Sequence, residues 1–239
     1  EMLRSLVGSE MCIRDRYTNN PVIDSKHIWN SHDTRDPKIF WYTSGNHWVM
    51  VLNERDGHSI YTSPDLKSWK YESHVTGFWE CPELFELAVD GNPNNKKWVM
   101  YGATGTYMLG SFDGKTFIPE SGKYFYTKGS LYAGQTYTNI PNSDGRRIQI
   151  AWGRISHPSM PFNGMMLLPT ELTLHTTKEG IRLFSNPIKE TKQLFTPLKK
   201  WASLTSDKAN DHLKEFRNAE TLRIKTTFKL SHATSAGID

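Results

Sequence analysis

The feature that most constrains this chain is a pattern that recurs about every 45–50 residues. Arg35-Asp36-Pro37-Lys38-Ile39-Phe40 is matched by Glu80-Cys81-Pro82-Glu83-Leu84-Phe85, with the two prolines 45 residues apart. Trp48-Val49-Met50 returns as Trp98-Val99-Met100, and Ser63–Trp69 returns as Ser111–Phe117, at offsets of 50 and 48 residues. A repeat of roughly 40–50 residues built from short strands is typical of a β-propeller blade.

The apolar segments between these landmarks are predicted to be strands. They are short, rich in Val, Ile, Tyr, Trp and Phe, and bounded by Gly, Pro, Asn and Asp, which favours strands over helices. We predict four units, over about 35–72, 82–118, 132–153 and 165–184. In the second unit we expect strands over 82–89, 98–103 and 106–112, a turn-rich loop over 90–97, and a hairpin turn at Asp113-Gly114. Four units without a clear opening one predict an all-β propeller that lacks its first blade.

The chain divides into four predicted segments. Residues 1–16 show no strand pattern and no signal peptide, and they are interpreted as a foreign or disordered leader. Residues 17–190 form the predicted propeller. Residues 191–216 are charged and form a predicted linker with room for a short helix. Residues 217–239 are interpreted as the truncated start of a second β domain, because Glu220–Leu230 alternates apolar and polar residues.

Composition excludes several classes of function. The net charge of +4 is spread along the chain, so we predict no nucleic-acid partner. No run of about 18 apolar residues exists, so we predict no membrane span. Nine histidines lack metal-binding spacing, so we predict no metal and no cofactor. Two cysteines do not make a disulfide framework, and Cys81 is interpreted as a small packing residue rather than a nucleophile. The sequence does not specify an oligomeric state.

Two carboxylates are expected to meet at one mouth of the propeller channel. The innermost strands of all blades run the same way, so Asp36 and Glu80, near the starts of two of them, should face one pocket. A pair of acids can cleave a glycosidic bond, with one as proton donor and the other about 5–5.5 Å away in retaining enzymes. The apolar run Gly77-Phe78-Trp79 should bury Glu80, and Arg35 should keep Asp36 ionised and hold sugar hydroxyls. The alternative for Asp36 is a plain turn residue.

These motifs resemble glycoside hydrolase family 32, the invertases, levanases and inulinases. Arg35-Asp36-Pro37 resembles its Arg-Asp-Pro motif, Glu80-Cys81 its Glu-Cys motif, and Tyr132-Ala133-Gly134-Gln135-Thr136 its Tyr-Ala-x-Gln-Thr run. Three further runs fit: Arg146–Trp152, Met160–Asn163 and Leu168–Leu172. The likeness covers about residues 20–187. It implies a five-bladed propeller, here without its first blade, followed by a β-sandwich.

The resemblance also implies roles for individual residues. Glu80 would be the general acid/base, and Asp36 would hold fructosyl hydroxyls and stabilise the transition state. The predicted substrate-binding residues are Arg35, Cys81, Tyr132, Gln135 and Trp152, and the implied partner is a fructose-containing saccharide. For Tyr132 and Trp152 a place in the core is the alternative, and for Gln135 a bond within its own loop.

Two departures from the family pattern affect the expected chemistry. The family's nucleophile lies in an Asn-Asp-Pro-Asn-Gly motif that does not occur in this chain. Ser130-Leu131 also stands where the family often has Asp before the Tyr-Ala run. We therefore expect a fructoside-cleaving parent protein, exported from the cell, and an inactive fragment. A five-bladed arabinan or xylan hydrolase, a fructosyltransferase and a non-catalytic sugar-binding propeller remain alternatives.

Overall fold

The computed structural model describes residues 17–30, 32–219, 222–230 and 232. The chain forms two compact units, Glu1–Ile188 and Lys189–Asp239, and all the strands of the described residues lie in the first. The predicted leader, residues 1–16, lies outside the described residues.

The first unit is built from two sheets whose strands are antiparallel, apart from a parallel contact between Leu174 and Val89. A short helix α1 (Ser25–Trp29) precedes the strands. The first sheet contains, in spatial order, β1 (Arg35–Tyr42), β2 (His47–Glu54), β3 (Gly57–Ser63) and β4 (Lys70–Thr76). The next four strands also pair in sequence order: β5 (Glu83–Val89), β6 (Asn92–Tyr101), β7 (Thr106–Phe112) and β8 (Phe117–Phe125). The last strands are β9 (Leu131–Thr136), β10 (Arg147–Gly153), β11 (Met165–Met166), β12 (Thr170–Thr177) and β13 (Gly180–Pro187).

The pairing of the last five strands shows that the prediction of four units was wrong. β9 pairs with β10, β10 with β12 and β12 with β13, so these strands form one ladder, with β11 beside the end of β10. The third and fourth units of the repeat analysis are therefore two halves of a single four-stranded unit. A hairpin alone buries too little apolar surface to be stable. The two predicted units therefore pair with each other through β10 and β12. The described strands thus make three propeller-like units.

The hairpin turns follow the predicted chemistry, with one difference. Asp113 Oδ1 accepts the backbone N–H groups of Lys115 and Thr116 at 2.8 and 2.7 Å, so Asp113 is a structural turn residue as expected. The loop predicted over 90–97 is wrong, because β6 already begins at Asn92. Asp90 and Gly91 form the whole connection, with φ of 53° and 73°. Two positive φ values in succession are the requirement of a type I′ hairpin turn.

A buried polar network joins the three units. Glu83 of β5 is fully buried and lies 2.8 Å from Lys38 Nζ of β1. Its carboxylate also accepts the backbone N–H and the hydroxyl of Thr136 of β9, at 2.9 and 2.7 Å. Lys38 donates to the Thr136 carbonyl at 2.8 Å. The first strand of each unit therefore meets the other two at this network.

The C-terminal unit, Lys189–Asp239, lacks the predicted strand within its described residues. It contains 3₁₀ helices at Lys189–Leu194 and Lys214–Phe216 and a helix α2 (Ser206–Leu213), so the short helix expected in the linker is present. Residues 222–230, the described part of the predicted strand, form no strand and are exposed. Alternation specifies a strand only where another strand supplies hydrogen bonds and a face to cover, and the described residues of this unit supply neither. Within the described parts of the chain, no helix is long and apolar enough to cross a membrane.

Candidate functional site

The candidate site lies where the first strand of each unit begins. At this point the backbone takes a left-handed conformation three times, with φ of 58° at Asp36, 44° at Cys81 and 52° at Ala133. Glu80 adds a fourth such residue, at 49°. Non-glycine residues with positive φ are uncommon and cost about 1–3 kcal/mol each. Their repetition at equivalent positions shows that the surrounding structure imposes this turn in every unit.

Glu80 is held by residues from the other two units. Arg35 Nη1 of β1 lies 2.8 Å from its Oε1, and the hydroxyl of Tyr132 of β9 donates to its Oε2 at 2.5 Å. The side chain of Glu80 keeps 19% of its surface exposed, so a ligand can reach it. The hydrogen bond to Glu80, together with burial, raises the pKa of Tyr132 to about 12. Tyr132 is therefore a hydrogen-bond donor at all moderate pH values.

Asp36 contacts the residue that follows Glu80. Its Oδ2 accepts the backbone N–H of Cys81 at 3.0 Å and lies 3.6 Å from Cys81 Sγ. The two acids are one position out of register in the repeat, and the consecutive left-handed residues Glu80 and Cys81 absorb this difference. Asp36 is therefore linked, through the residue next to Glu80, to the cluster around that acid. That the two carboxylates face one pocket stays a prediction.

Cys81 supports this cluster without the properties of a nucleophile. Burial raises the pKa of its thiol to about 12, and the nearby Asp36 carboxylate adds to the shift. A thiol must lose its proton to attack a substrate, so Cys81 is inert near neutral pH. This agrees with its interpretation as a packing residue.

Arg35 differs from expectation in its partner. The sequence predicted that Arg35 would keep Asp36 ionised, but its guanidinium forms ion pairs with Glu80 and Asp33. Successive side chains of a strand point in opposite directions, and the left-handed turn at Asp36 separates these two further. Arg35 therefore compensates the charge of the predicted proton donor.

The remaining predicted residues are divided between the margin of the cluster and the surface outside it. Trp152 of β10 is 44% exposed and packs edge-on against Tyr132, with ring centroids 6.2 Å apart. Arg154 lies over both rings, 4.7 Å from the Tyr132 centroid and 5.8 Å from that of Trp152. Gln135 is exposed, pairs with Ile150 in the ladder, and makes no side-chain hydrogen bond to this cluster within the described residues.

Comparison with known proteins identifies the family. The profile of the glycosyl hydrolases family 32 N-terminal domain matches residues 10–187. The chain belongs to glycosyl hydrolase family 32. A levanase from Bacillus subtilis (strain 168) is 36% identical over 249 residues, which cover 92% of this chain and 36% of the levanase. An extracellular exo-inulinase from Meyerozyma guilliermondii is 34% identical over 67% of this chain and 35% of its own length.

Solved structures of the family confirm the fold class. The β-fructofuranosidase from Schwanniomyces occidentalis complexed with fructosyl-erythritol superposes with a TM-score of 0.60 and 30% identity, over 72% of this chain and 38% of that one. The exo-inulinase from Aspergillus awamori gives 0.61 and 29%, over 70% of this chain and 39% of that one. The fold class is that of the family 32 five-bladed β-propeller, of which the described strands form three units. The chain spans little more than a third of the length of the relatives it matches.

Two residues of this family 32 site were missed by sequence reasoning. Asn53 of β2 is fully buried, and its Oδ1 accepts the backbone N–H of Glu80 at 2.8 Å. The signal for it was a polar residue directly after the apolar run Trp48–Leu52. Arg154 was missed because a lone arginine after a strand carries no distinguishing pattern. No group of three or more His, Cys, Asp or Glu residues is arranged to hold a metal ion in the part of the chain that the structure describes.

Proposed function

We propose that the intact protein hydrolyses β-fructofuranosidic bonds with retention of configuration. Glu80 is the general acid/base, and Asp36 holds hydroxyls of the fructosyl unit and stabilises the transition state. The observation that supports this most is the Glu80 carboxylate, partly open to solvent and held between Arg35 and Tyr132, beside an acid from the neighbouring unit.

The contacts of Glu80 suit a group that both gives and takes a proton. In the first step the Glu80 carboxyl protonates the departing oxygen, and the carboxylate that remains is compensated by the Arg35 guanidinium and the Tyr132 hydroxyl. In the second step the same carboxylate takes a proton from the attacking water. Both partners reach Glu80 from other strands, so its position does not depend on its own loop alone.

The step that this chain does not supply is nucleophilic attack. The Asn-Asp-Pro-Asn-Gly motif is absent, and the thiol of Cys81 stays protonated because burial raises its pKa to about 12. Loss of an essential catalytic group commonly costs several orders of magnitude in rate. We infer that the 239-residue chain alone is inactive.

The substrate class is proposed from relatives. The named relatives are a levanase, an exo-inulinase and a β-fructofuranosidase, which favours levan, inulin or sucrose over arabinan or xylan. One of them is named extracellular, which supports secretion of the intact protein, as expected for an enzyme acting on polymers.

Hydrolysis assays on the full-length protein test the proposal. We expect fructose release from levan, inulin or sucrose, none from arabinan, and none from the 239-residue chain. Glu80→Gln should lower kcat about 10²–10⁴-fold, whereas Glu86→Gln, at an exposed ion pair with Lys96, should leave it unchanged. Saccharide binding without any hydrolysis would instead favour a carbohydrate-binding propeller, and cleavage of arabinan would favour a pentosan hydrolase.

A further inference from the structure

Asn53 is a buried amide whose surroundings do not otherwise require a polar group. It lies in the middle strand of three, opposite Arg35 of β1 and opposite His58 of β3. Its side chain is fully buried, and its Nδ2 has no hydrogen-bond partner among the described residues. A buried polar group is costly unless its hydrogen bonds are made. The one bond that Asn53 does make is therefore the feature that needs explanation.

That bond ends at the backbone of the proposed general acid. Asn53 Oδ1 accepts the N–H of Glu80 at 2.8 Å. The amide orientation is unambiguous here, because a backbone N–H can only donate and the oxygen must face it. Asn53 thus fixes the peptide from which the Glu80 side chain projects.

The backbone held in this way is strained. Glu80 and Cys81 are consecutive left-handed residues, with φ of 49° and 44°, and such conformations persist only where the surroundings enforce them. Two strands and the turn between β6 and β7 supply the restraints. Asn53 of β2 holds Glu80 N, Asp36 of β1 holds Cys81 N at 3.0 Å, and Ala103 N donates to the Glu80 carbonyl at 3.1 Å. Ala103 N also donates to the Trp79 carbonyl at 3.0 Å, and the Asn53 bond is the restraint that acts on the Glu80 N–H itself.

We propose that Asn53 is a positioning residue, which fixes the Glu80 backbone so that the carboxylate lies between Arg35 and Tyr132. This inference rests on the proposed function of Glu80 as general acid/base. Asn53 does not touch the substrate, so its loss should affect the chemical step more than binding.

Two variants of the full-length enzyme test the inference. Asn53→Leu keeps the volume but removes the acceptor, and we expect kcat to fall about tenfold to a hundredfold with KM within about twofold of wild type. Asn53→Asp keeps an acceptor for the Glu80 N–H, so its kcat should lie clearly above that of Asn53→Leu.

The control is Ser59→Ala, which removes a part-buried hydrogen bond to His74 in the same sheet and should leave kcat unchanged. If Asn53→Leu does not fold, Asn53→Ala takes its place. A wild-type kcat in the variant without the acceptor, or a kcat in Asn53→Asp as low as in that variant, would overturn the positioning role.

Failure of the proposed function is distinguishable from failure of this inference. A wild-type protein that hydrolyses no fructoside contradicts the proposed function only. The positioning bond is then read from hydrogen exchange of the Glu80 amide, which should be protected in wild type and Asn53→Asp. Loss of that protection in Asn53→Leu supports the bond, and Asn53→Ala replaces this variant if it does not fold. Protection equal to that of wild type contradicts the bond.

Discussion

At the scale of single residues, the hydroxyl of Tyr132 holds one oxygen of the Glu80 carboxylate. A proton donor must lie within hydrogen-bond reach of the departing oxygen, and this bond helps to fix where the carboxylate lies. In the intact enzyme, Tyr132→Phe should therefore lower kcat, by on the order of tenfold. The measurement is kcat and KM on a soluble fructoside.

The same tyrosine should not titrate in the range of activity. Its pKa is raised to about 12, so it remains a donor over that whole range. Tyr137→Phe, at an exposed position, is the matched control and should leave kcat unchanged. A wild-type kcat in Tyr132→Phe would show that the hydroxyl has no influence on the proton donor.

Residue identities at the site could be predicted from sequence, but their contacts could not. Asp36 and Glu80 were found from the repeat because both precede a proline at equivalent places. The partner of Arg35 was assigned wrongly, because a motif gives neighbours along the chain and not the direction of side chains around a left-handed turn. Gln135 belongs to a recognisable motif, yet it makes no hydrogen bond to the cluster within the described residues. The register shift between β9 and β10, which sets the position of its side chain, cannot be read from the motif.

At the scale of strands, His58 makes the stability of the first sheet dependent on pH. It is fully buried in β3 and stacks on Phe78 with ring centroids 5.3 Å apart. Burial lowers its pKa to about 3, and the nearby Glu80 backbone offsets only part of this shift. The unfolded chain binds a proton at an ordinary pKa near 6.5, so stability is complete above that pH and falls as the pH drops towards 3. The slope approaches about 1.4 kcal/mol per pH unit.

Urea unfolding of the full-length protein at pH 7 and pH 5 measures this effect. His58→Phe keeps an aromatic ring against Phe78 and removes the titrating group, so the free energy of unfolding should lose this part of its pH dependence. His32→Phe, at an exposed position, should retain it. An unchanged pH dependence in His58→Phe would contradict a neutral buried imidazole.

Strand bounds were predictable where turn residues and the run of strand-forming residues agreed. They were missed where pairing with another strand sets the bounds. The bounds of β7 were predicted without error, since turn residues flank its run of strand-forming residues. β6 begins earlier than its apolar pattern does, because the two-residue turn at Asp90-Gly91 brings polar residues into the ladder. The joining of two weak units into one sheet depends on long-range pairing, which no local pattern records.

At the scale of the whole first unit, the Lys38–Glu83 ion pair joins the sheet of β1 to the sheet of β5. The two sheets are not joined by strand pairing among the described residues. Glu83 is fully buried and the Lys38 side chain is 13% exposed, and Thr136 of the third unit completes the network. The repeat placed Lys38 and Glu83 at equivalent positions after the prolines. It could not show that they pair, because their contact requires two units to be arranged around one centre.

Removing both partners of this pair should therefore cost less than the two single losses combined. Glu83→Leu leaves a largely buried ammonium without its carboxylate, and Lys38→Met leaves a buried carboxylate with the hydrogen bonds of Thr136 and the nearby charge of Arg147, so each single variant should lose about 3–5 kcal/mol in the free energy of unfolding. In the double variant no charge is left buried without its partner, and the loss should be clearly smaller than the sum of the two single losses.

Urea unfolding of wild type, the two single variants and the double variant gives the coupling energy. The matched control cycle uses Lys96→Met and Glu86→Leu at the exposed ion pair, and it should yield less than about 1 kcal/mol. Additive losses at Lys38 and Glu83 would mean that the three units are held together by their apolar contacts alone, and that the site they share does not depend on this pair.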